Sequence, residues 1–368
     1  MKILILITGI GLGHTLREEA IIQEILKKHP KAEIRIVTYG NAYNFFHNKF
    51  TTYKIIGPKF PDYTFEVKIR DLALANISYP LVYYFEARKI LNVSKLFKPD
   101  LIISDFEPMG ILISKIIKKP LIAIFNFNLE TLKDYERTNK LSTTLKIQAS
   151  YVKRYYKLSH KGNILIPTLF GHYKSKTHYK YINPIIRYDP KELKDEKVLM
   201  KKLGFAKKPI LISTGGSNFG SQIIESILKI AKEFDEEFVI FGYLHSTVKL
   251  LKNVRVFSFK NNFLEYLKIS KGIVTLGGYN TIAEALVFKK PALIFPVKNH
   301  LEQLLNAYPI EMNKLSLVKH LNKISPEIIR DHLKEFIKKI PIIQKNLSKL
   351  SIKPTGAKEA VYFIDKFK

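Results

Sequence analysis

The 368 residues exceed what one hydrophobic core usually takes and suit two domains of ordinary size. With 46% hydrophobic residues a buried interior is expected rather than disorder, and the absence of cysteine excludes disulfides, thiolate metal sites and cysteine nucleophiles. The net charge of +29 invites a nucleic-acid reading, but only nine arginines contribute, the charges are scattered, and no zinc-finger or RNA-recognition signature accompanies them.

Strand, turn and helix then alternate, the pattern of parallel sheets covered by helices. Residues 2–7 read as a buried strand and 17–28 as a helix. Short apolar runs follow at 33–39, 53–56, 100–104, 121–125 and 163–166, with helical stretches at 79–97 and 110–117. Around 181–197 the apolar runs stop, and Pro184, Pro190 and charged residues suggest a linker. Strands resume at 209–213, 238–242, 254–257, 272–276 and 291–295, with helices at 217–234, 262–269, 281–288 and 302–306. The expected fold class is α/β, with two doubly wound parallel-sheet domains: 1–182, 183–352, and a closing C-terminal helix within 353–368. No apolar run nears the roughly 20 residues of a membrane-spanning helix, and residues 1–9 are too short for a signal core. A cytoplasmic protein is expected, peripheral on the inner face of the membrane if it meets one.

In such sheets ligands sit beyond the carboxyl ends of the strands. Thr8-Gly9-Ile10-Gly11-Leu12-Gly13-His14 follows the first strand and opens a helix. A dinucleotide fingerprint is opposed by His14 where glycine is needed and by a second strand ending Val37-Thr38-Tyr39, without a carboxylate for ribose. The phosphate-loop Gly-Lys-Ser/Thr is absent too, so no nucleotide cofactor is expected. His14 is either a helix N-terminal residue satisfied by backbone or a general base. Asp105, in Ser104-Asp105-Phe106-Glu107-Pro108, either caps the next helix or orients that imidazole. Gly11, Gly13 and Glu107 are candidates for the acceptor side.

Ser213-Thr214-Gly215-Gly216-Ser217-Asn218 repeats the device at the first strand of the second half. The stronger stretch is Gly277-Gly278-Tyr279-Asn280-Thr281-Ile282-Ala283-Glu284-Ala285, where paired glycines precede a helix whose first amides suit a diphosphate. Glu284 sits in apolar company and wants a partner, and Glu302 and Gln303 could bond sugar hydroxyls or cap a helix. There is no Asp-x-Asp, His-x-His or His-Glu-x-x-His, so no metal is expected, and Arg187 in the linker is a candidate cation for a leaving group.

Together these motifs resemble the GT-B glycosyltransferases. They are most similar to the family of the bacterial enzyme that adds N-acetylglucosamine to a lipid-linked peptidoglycan precursor. The resemblance rests on the glycine loop ending in His14, Gly-Gly-x-x-Thr-x-x-Glu-Ala at 277–285, Asn183-Pro184…Arg187 and Glu302-Gln303…Asn306-Ala307. Ile103-Ser104-Asp105-Phe106-Glu107-Pro108 and Glu236-Glu237-Phe238-Val239-Ile240-Phe241-Gly242 are closest to a largely uncharacterised archaeal-type branch. The resemblance implies two Rossmann-like domains facing a cleft, acceptor on the first and nucleotide sugar on the second. It implies that Gly215, Gly216, Ser217, Tyr279, Asn280 and Thr281 surround the diphosphate, that Glu284 binds ribose, and that Glu302 and Gln303 hold the sugar. Backbone near Phe259 would meet the base, usually uracil. In similar plant enzymes a histidine after the first strand pairs with an aspartate after a later one, the places of His14 and Asp105.

The expected function is inverting, metal-independent transfer of a hexose or N-acetylhexosamine from a UDP-sugar to a hydroxyl acceptor, lipid-linked in one version. The alternatives are a nucleotide-sugar 2-epimerase on the same fold and a non-enzymatic nucleic-acid binder. An anionic membrane is a candidate partner through residues 133–161, where Lys146, Lys153, Arg154 and Lys157 mix with Tyr151, Tyr155 and Tyr156, unless this is an ordinary solvated helix.

Overall fold

An unbroken apolar strand has two faces to hide, and β1 (Lys2–Ile7) is such a strand, buried at all but its first residue. In the computed structural model, which describes residues 1–62, 64–159, 163–169, 179–242, 251–258 and 260–367, the chain forms two units. The first comprises Met1–Pro61, Lys68–Arg187 and Lys353–Lys368, and the second Asp62–Val67 and Tyr188–Ile352.

After β1 the first unit runs through α1 (Gly13–Lys28), β2 (Glu33–Thr38), α2 (Gly40–Phe46), β3 (Thr51–Lys54), α3 (Ile69–Ala75) and α4 (Tyr79–Phe97). It continues with β4 (Leu101–Asp105), α5 (Pro108–Ile117), β5 (Leu121–Ile124), α6 (Leu129–Thr138), α7 (Thr143–Ser159), β6 (Asn163–Pro167) and β7 (Tyr179–Ile182). The seven strands are parallel in the order β3-β2-β1-β4-β5-β6-β7. From β1 the chain moves outward to β2 and β3, then returns to the other flank of β1 for β4. That reversal leaves a crevice at the carboxyl ends of β1 and β4, the place where doubly wound sheets bind ligands.

The second unit follows with α8 (Glu196–Leu203), β8 (Ile210–Ser213), α9 (Ser221–Ile230), β9 (Phe238–Phe241), β10 (Val254–Phe257) and α10 (Phe263–Ile269). Then come β11 (Gly272–Leu276), α11 (Tyr279–Val287), β12 (Ala292–Phe295), α12 (Leu301–Met312), β13 (Leu317–Val318) and α13 (Pro326–Ser348). The order β10-β9-β8-β11-β12-β13 puts the reversal between β8 and β11. A final helix, α14 (Gly356–Ile364), belongs to the first unit, where Ala360, Val361 and Ile364 join Ile21, Ile22 and Ile25 of α1 over Ile3, Ile5 and Ile7.

Residues 183–187 pack with the first unit as well. Asn183 donates through Nδ2 to Glu359 Oε1 at 2.7 Å and to Thr355 Oγ1 at 2.9 Å. A Cβ on Gly356 would stand 2.1 Å from the Asn183 carbonyl oxygen, so only glycine lets the two segments approach. The stretch expected as one helix over 217–234 is broken: a 3-10 turn at Asn218–Gly220 precedes α9, and another at Ala231–Glu233 follows it.

Candidate active site

The three alternating glycines of the first loop do different work. A Cβ on Gly9 would lie 1.9 Å from the Tyr39 carbonyl oxygen, so this glycine serves strand packing. Gly11 has φ +70°, a conformation that side chains resist, while Gly13 faces open space as α1 begins. His14 is therefore the second residue of α1. Across the reversal, Asp105 ends β4 beside Ile7, and its carbonyl accepts from the Thr8 amide at 3.1 Å.

The structure brings these two residues together: His14 Nδ1 lies 2.7 Å from Asp105 Oδ1. Asp105 is fully buried, and burial opposes its charge. The Arg17 guanidinium and then His14 outweigh that and hold the carboxyl well below the usual carboxylate range. An ionised carboxylate can only accept, so the imidazole carries a proton on Nδ1 toward Asp105. The helix-cap reading of Asp105 gives way to Glu107, whose side chain accepts from the Met109 amide at 3.3 Å and caps α5.

Arg17 is the residue that motif reading missed. Its Nε donates to Asp105 Oδ2 at 2.9 Å, its Nη2 to Asp105 Oδ1, and its Nη1 to Asn126 Oδ1 at 3.2 Å. Beside it Glu18 is wholly buried, and burial followed by the Asp105 charge pushes its carboxyl well up from the usual carboxylate range. A signal existed: His14, Arg17 and Glu18 stand at i, i+3 and i+4, one face of a helix.

Phe106 follows Asp105 with φ +51°, an uncommon conformation for an aromatic residue, held by Thr8 Oγ1 donating to its carbonyl at 2.7 Å. Its ring lies 6° from parallel with the imidazole, at 6.2 Å between centroids, and stacks on Phe127 at 5.2 Å. Glu107, expected on the acceptor side, is instead 2% exposed, and burial pushes its carboxyl up to about 7 against the pull of the Met109 amide.

In the second unit both predicted loops lie at the reversal, one after β8 and one after β11. Gly215 has φ +76°, and the turn it makes with Gly216 and Ser217 leads to Asn218, whose amide donates to Asp62 Oδ2 at 2.6 Å. That amide is thus taken by a carboxylate of the chain itself. At the other loop Gly278 is the N-cap of α11 and has no side chain with which to cap it. Asn280 and Thr281 are half-buried in the first turn, while the side chains of Tyr279 and Glu284 are buried, so Tyr279 presents backbone. Gly277 is clamped: Gln303 Oε1 accepts from its amide and from Val297, both at 3.0 Å, and Asn306 Nδ2 donates to its carbonyl at 3.0 Å. Gln303 thus braces the turn and keeps only its amide nitrogen for a ligand. Glu302 is half-buried in the first turn of α12. Arg187 is the last residue of the first unit's second segment, and Phe259 lies outside the described residues.

Two of the three tyrosines expected at a membrane face inward. Tyr155 and Tyr156 are buried, with hydroxyls on Ser104 Oγ at 3.3 Å and on the Phe127 carbonyl, and only Tyr151 is exposed. Ile147 and Leu158 of α7 are exposed along with Tyr151, and a second exposed apolar stretch runs from α3 into α4, where Leu74, Ile77, Leu81, Tyr84 and Phe85 are each more than half exposed, Ile77 at 81%. Among the described residues no helix is long and apolar enough to cross a membrane, and no group of three His, Asp or Glu gathers as a metal cluster.

Residues 1–341 match the sequence pattern described as glycosyl transferase family 1. An uncharacterized glycosyltransferase of Methanosarcina acetivorans is 26% identical over 365 residues, covering 92% of this chain and 90% of the relative. The UDP-N-acetylglucosamine–N-acetylmuramyl-(pentapeptide) pyrophosphoryl-undecaprenol N-acetylglucosamine transferase of Clostridium tetani is 28% identical over 172 residues, 44% of this chain and 47% of that enzyme. Among solved structures, MurG of Acinetobacter baumannii superposes with a TM-score of 0.63 at 14% identity, covering 99% of both chains, which shows the shared GT-B fold.

Proposed function

The chain belongs to glycosyl transferase family 1 and is a glycosyltransferase, and we propose that it moves a hexose or N-acetylhexosamine from a UDP-sugar to a hydroxyl with inversion and without a metal. His14 is the general base. Its Nε2 takes the acceptor proton as the hydroxyl oxygen attacks the anomeric carbon, the bond to the departing diphosphate breaks, and Asp105 stabilises the imidazolium that forms. The observation that carries this is the 2.7 Å contact between His14 Nδ1 and an aspartate kept ionised inside the protein.

The donor belongs to the second unit. Gly215, Gly216 and Ser217, with the turn from Gly277 through Thr281, are assigned to the diphosphate, where helix-start amides meet the charge that grows on the leaving group. Glu284 is assigned to the ribose, and Glu302 with the Gln303 amide to the sugar. What supports a diphosphate there is the pairing of a glycine turn with an uncapped helix start at the reversal of the sheet, together with the carboxylate already seated on the Asn218 amide. The Clostridium relative is named for a UDP-sugar donor and a lipid-linked acceptor, which favours the same classes here. The exposed face of α3 and α4 is the surface assigned to an anionic membrane carrying such an acceptor.

A thermal-shift panel of nucleotide sugars tests the donor. A ligand that binds only the folded state raises the melting temperature, by RT ln(1 + [L]/Kd) in free-energy terms. UDP-hexoses or UDP-N-acetylhexosamines should stabilise the protein while free hexoses do not. A panel in which no UDP compound shifts the transition contradicts the assignment.

A further inference from the structure

Burying a guanidinium is expensive unless its charge and its N–H groups are all answered. Arg17 is 2% exposed and among the largest fully buried side chains in the protein. Its fork closes on both oxygens of Asp105, and its remaining arm reaches Asn126. The same Nη2 stands 2.9 Å from His14 Nδ1. That last contact is not an ordinary hydrogen bond. A guanidinium nitrogen has no lone pair to offer, and Nδ1 already points its proton at Asp105. It is a positive charge set against the imidazole.

We propose that Arg17 is a positioning residue of the proton-transfer site: its fork fixes the Asp105 oxygen that orients His14, and its charge, set against the ring at Nδ1, offsets the Asp105 charge there. The charge count follows from the geometry. Arg17 and Asp105 cancel, and burial favours the neutral form of the Glu18 carboxyl beside them. With Arg17 removed, a buried carboxylate would face the ring alone and draw a second proton onto Nε2, occupying the lone pair that must receive the acceptor's proton. The titratable groups around the cluster are Arg17 and Glu18 on α1, Asp105 and Glu107 at and after the end of β4, and Tyr151 and Tyr155 on α7; Tyr155 and Glu107 are neutral in the acid half of the range, and neither replaces the Arg17 charge. A role confined to stability would neutralise Asp105 without needing to touch the ring.

The inference rests on His14 as the base, and nuclear magnetic resonance of the full chain separates the two. The ring resonances of His14 are followed against pH in the wild type, Arg17→Gln and Arg17→Lys, with no substrate present. Removing a positive charge within hydrogen-bond distance should raise the titration midpoint of the ring by on the order of one pH unit in Arg17→Gln. Arg17→Lys, which keeps the charge but not the fork, should hold the wild-type midpoint while the Nδ1 proton exchanges faster with water. A midpoint and Nδ1 signal unmoved in Arg17→Gln would overturn the proposal. Should Arg17→Gln not fold, Arg17→Lys decides alone: a slowly exchanging Nδ1 proton identical to the wild type refutes the fork's role, and a faster one supports it. Turnover that survives His14→Ala would remove the base itself and leave this spectroscopic effect in place, so the two failures are distinct.

Discussion

Burial pushes the Glu107 carboxyl up to about 7, among Tyr79, Tyr83, Tyr151 and Tyr155, so its proton is held more tightly in the folded chain than in the unfolded one. Its contribution to stability is full below about pH 4.5, the unfolded value, and is lost as pH rises through about 7, a swing on the order of 3 kcal/mol. Glu18 has the same sign, and Asp105 the opposite one, its contribution being lost only as pH falls below the usual carboxylate range. Comparing Glu107→Gln with the wild type isolates the one residue. Urea unfolding at pH 5 and pH 8 should show the variant gaining on the wild type at the higher pH by about 2–3 kcal/mol. Equal gaps at both pH values would mean that Glu107 is charged in the folded state throughout.

At the scale of elements, each candidate loop depends on a neighbour that holds it. The Gly277 turn before α11 is braced by Gln303 from α12, which packs so close that a Cβ at Gly277 would meet its side chain at 2.6 Å, with Asn306 holding the Gly277 carbonyl. Gln303→Ala leaves two buried amides, those of Gly277 and Val297, without their acceptor. It should destabilise the protein by about 2–4 kcal/mol, measured by chemical unfolding, whether or not nucleotide is present. A loss of nucleotide affinity with stability unchanged would make Gln303 a ligand-binding residue instead of a brace.

The strand-ending loops were legible in the sequence because parallel strands buried on both faces are continuous apolar runs, so their ends stand out where glycine takes over. The pairing of His14 with Asp105 was open there as one of two readings, since only the sheet order shows that the chain returns to β1's other flank and brings them within reach. Arg17 was hidden by its type: an arginine inside an amphipathic helix reads as solvent-facing until something buried is seen to need it. Residues 181–197 read as a linker because two prolines and several charges conceal β7, whose residues are mostly half-buried, and the start of α8. The interior Pro341 similarly breaks the helical pattern of α13 on paper but not in the structure.

For the whole molecule, a net charge of +29 is spread over both units, and charge alone does not choose a partner. The surface proposed for a membrane carries exposed Ile77, Leu81 and Phe85 on a stretch of chain that also holds Lys68, Arg70 and Arg88. Basic residues around exposed apolar side chains suit an anionic bilayer surface. In liposome flotation the wild type should rise with phosphatidylglycerol vesicles and not with neutral ones, and Ile77→Ser with Leu81→Ser and Phe85→Ser should abolish the rise. Flotation indifferent to these residues would move any membrane contact elsewhere.

The account turns on His14 taking a proton from the acceptor, and kinetics of His14→Ala probe that claim most directly. With the UDP-sugar that stabilises the wild type and an acceptor it glycosylates, the variant should lose turnover by roughly a hundredfold or more while binding the donor as before. Turnover within a few-fold of the wild type, at matched donor affinity, would show that the proton leaves by another route.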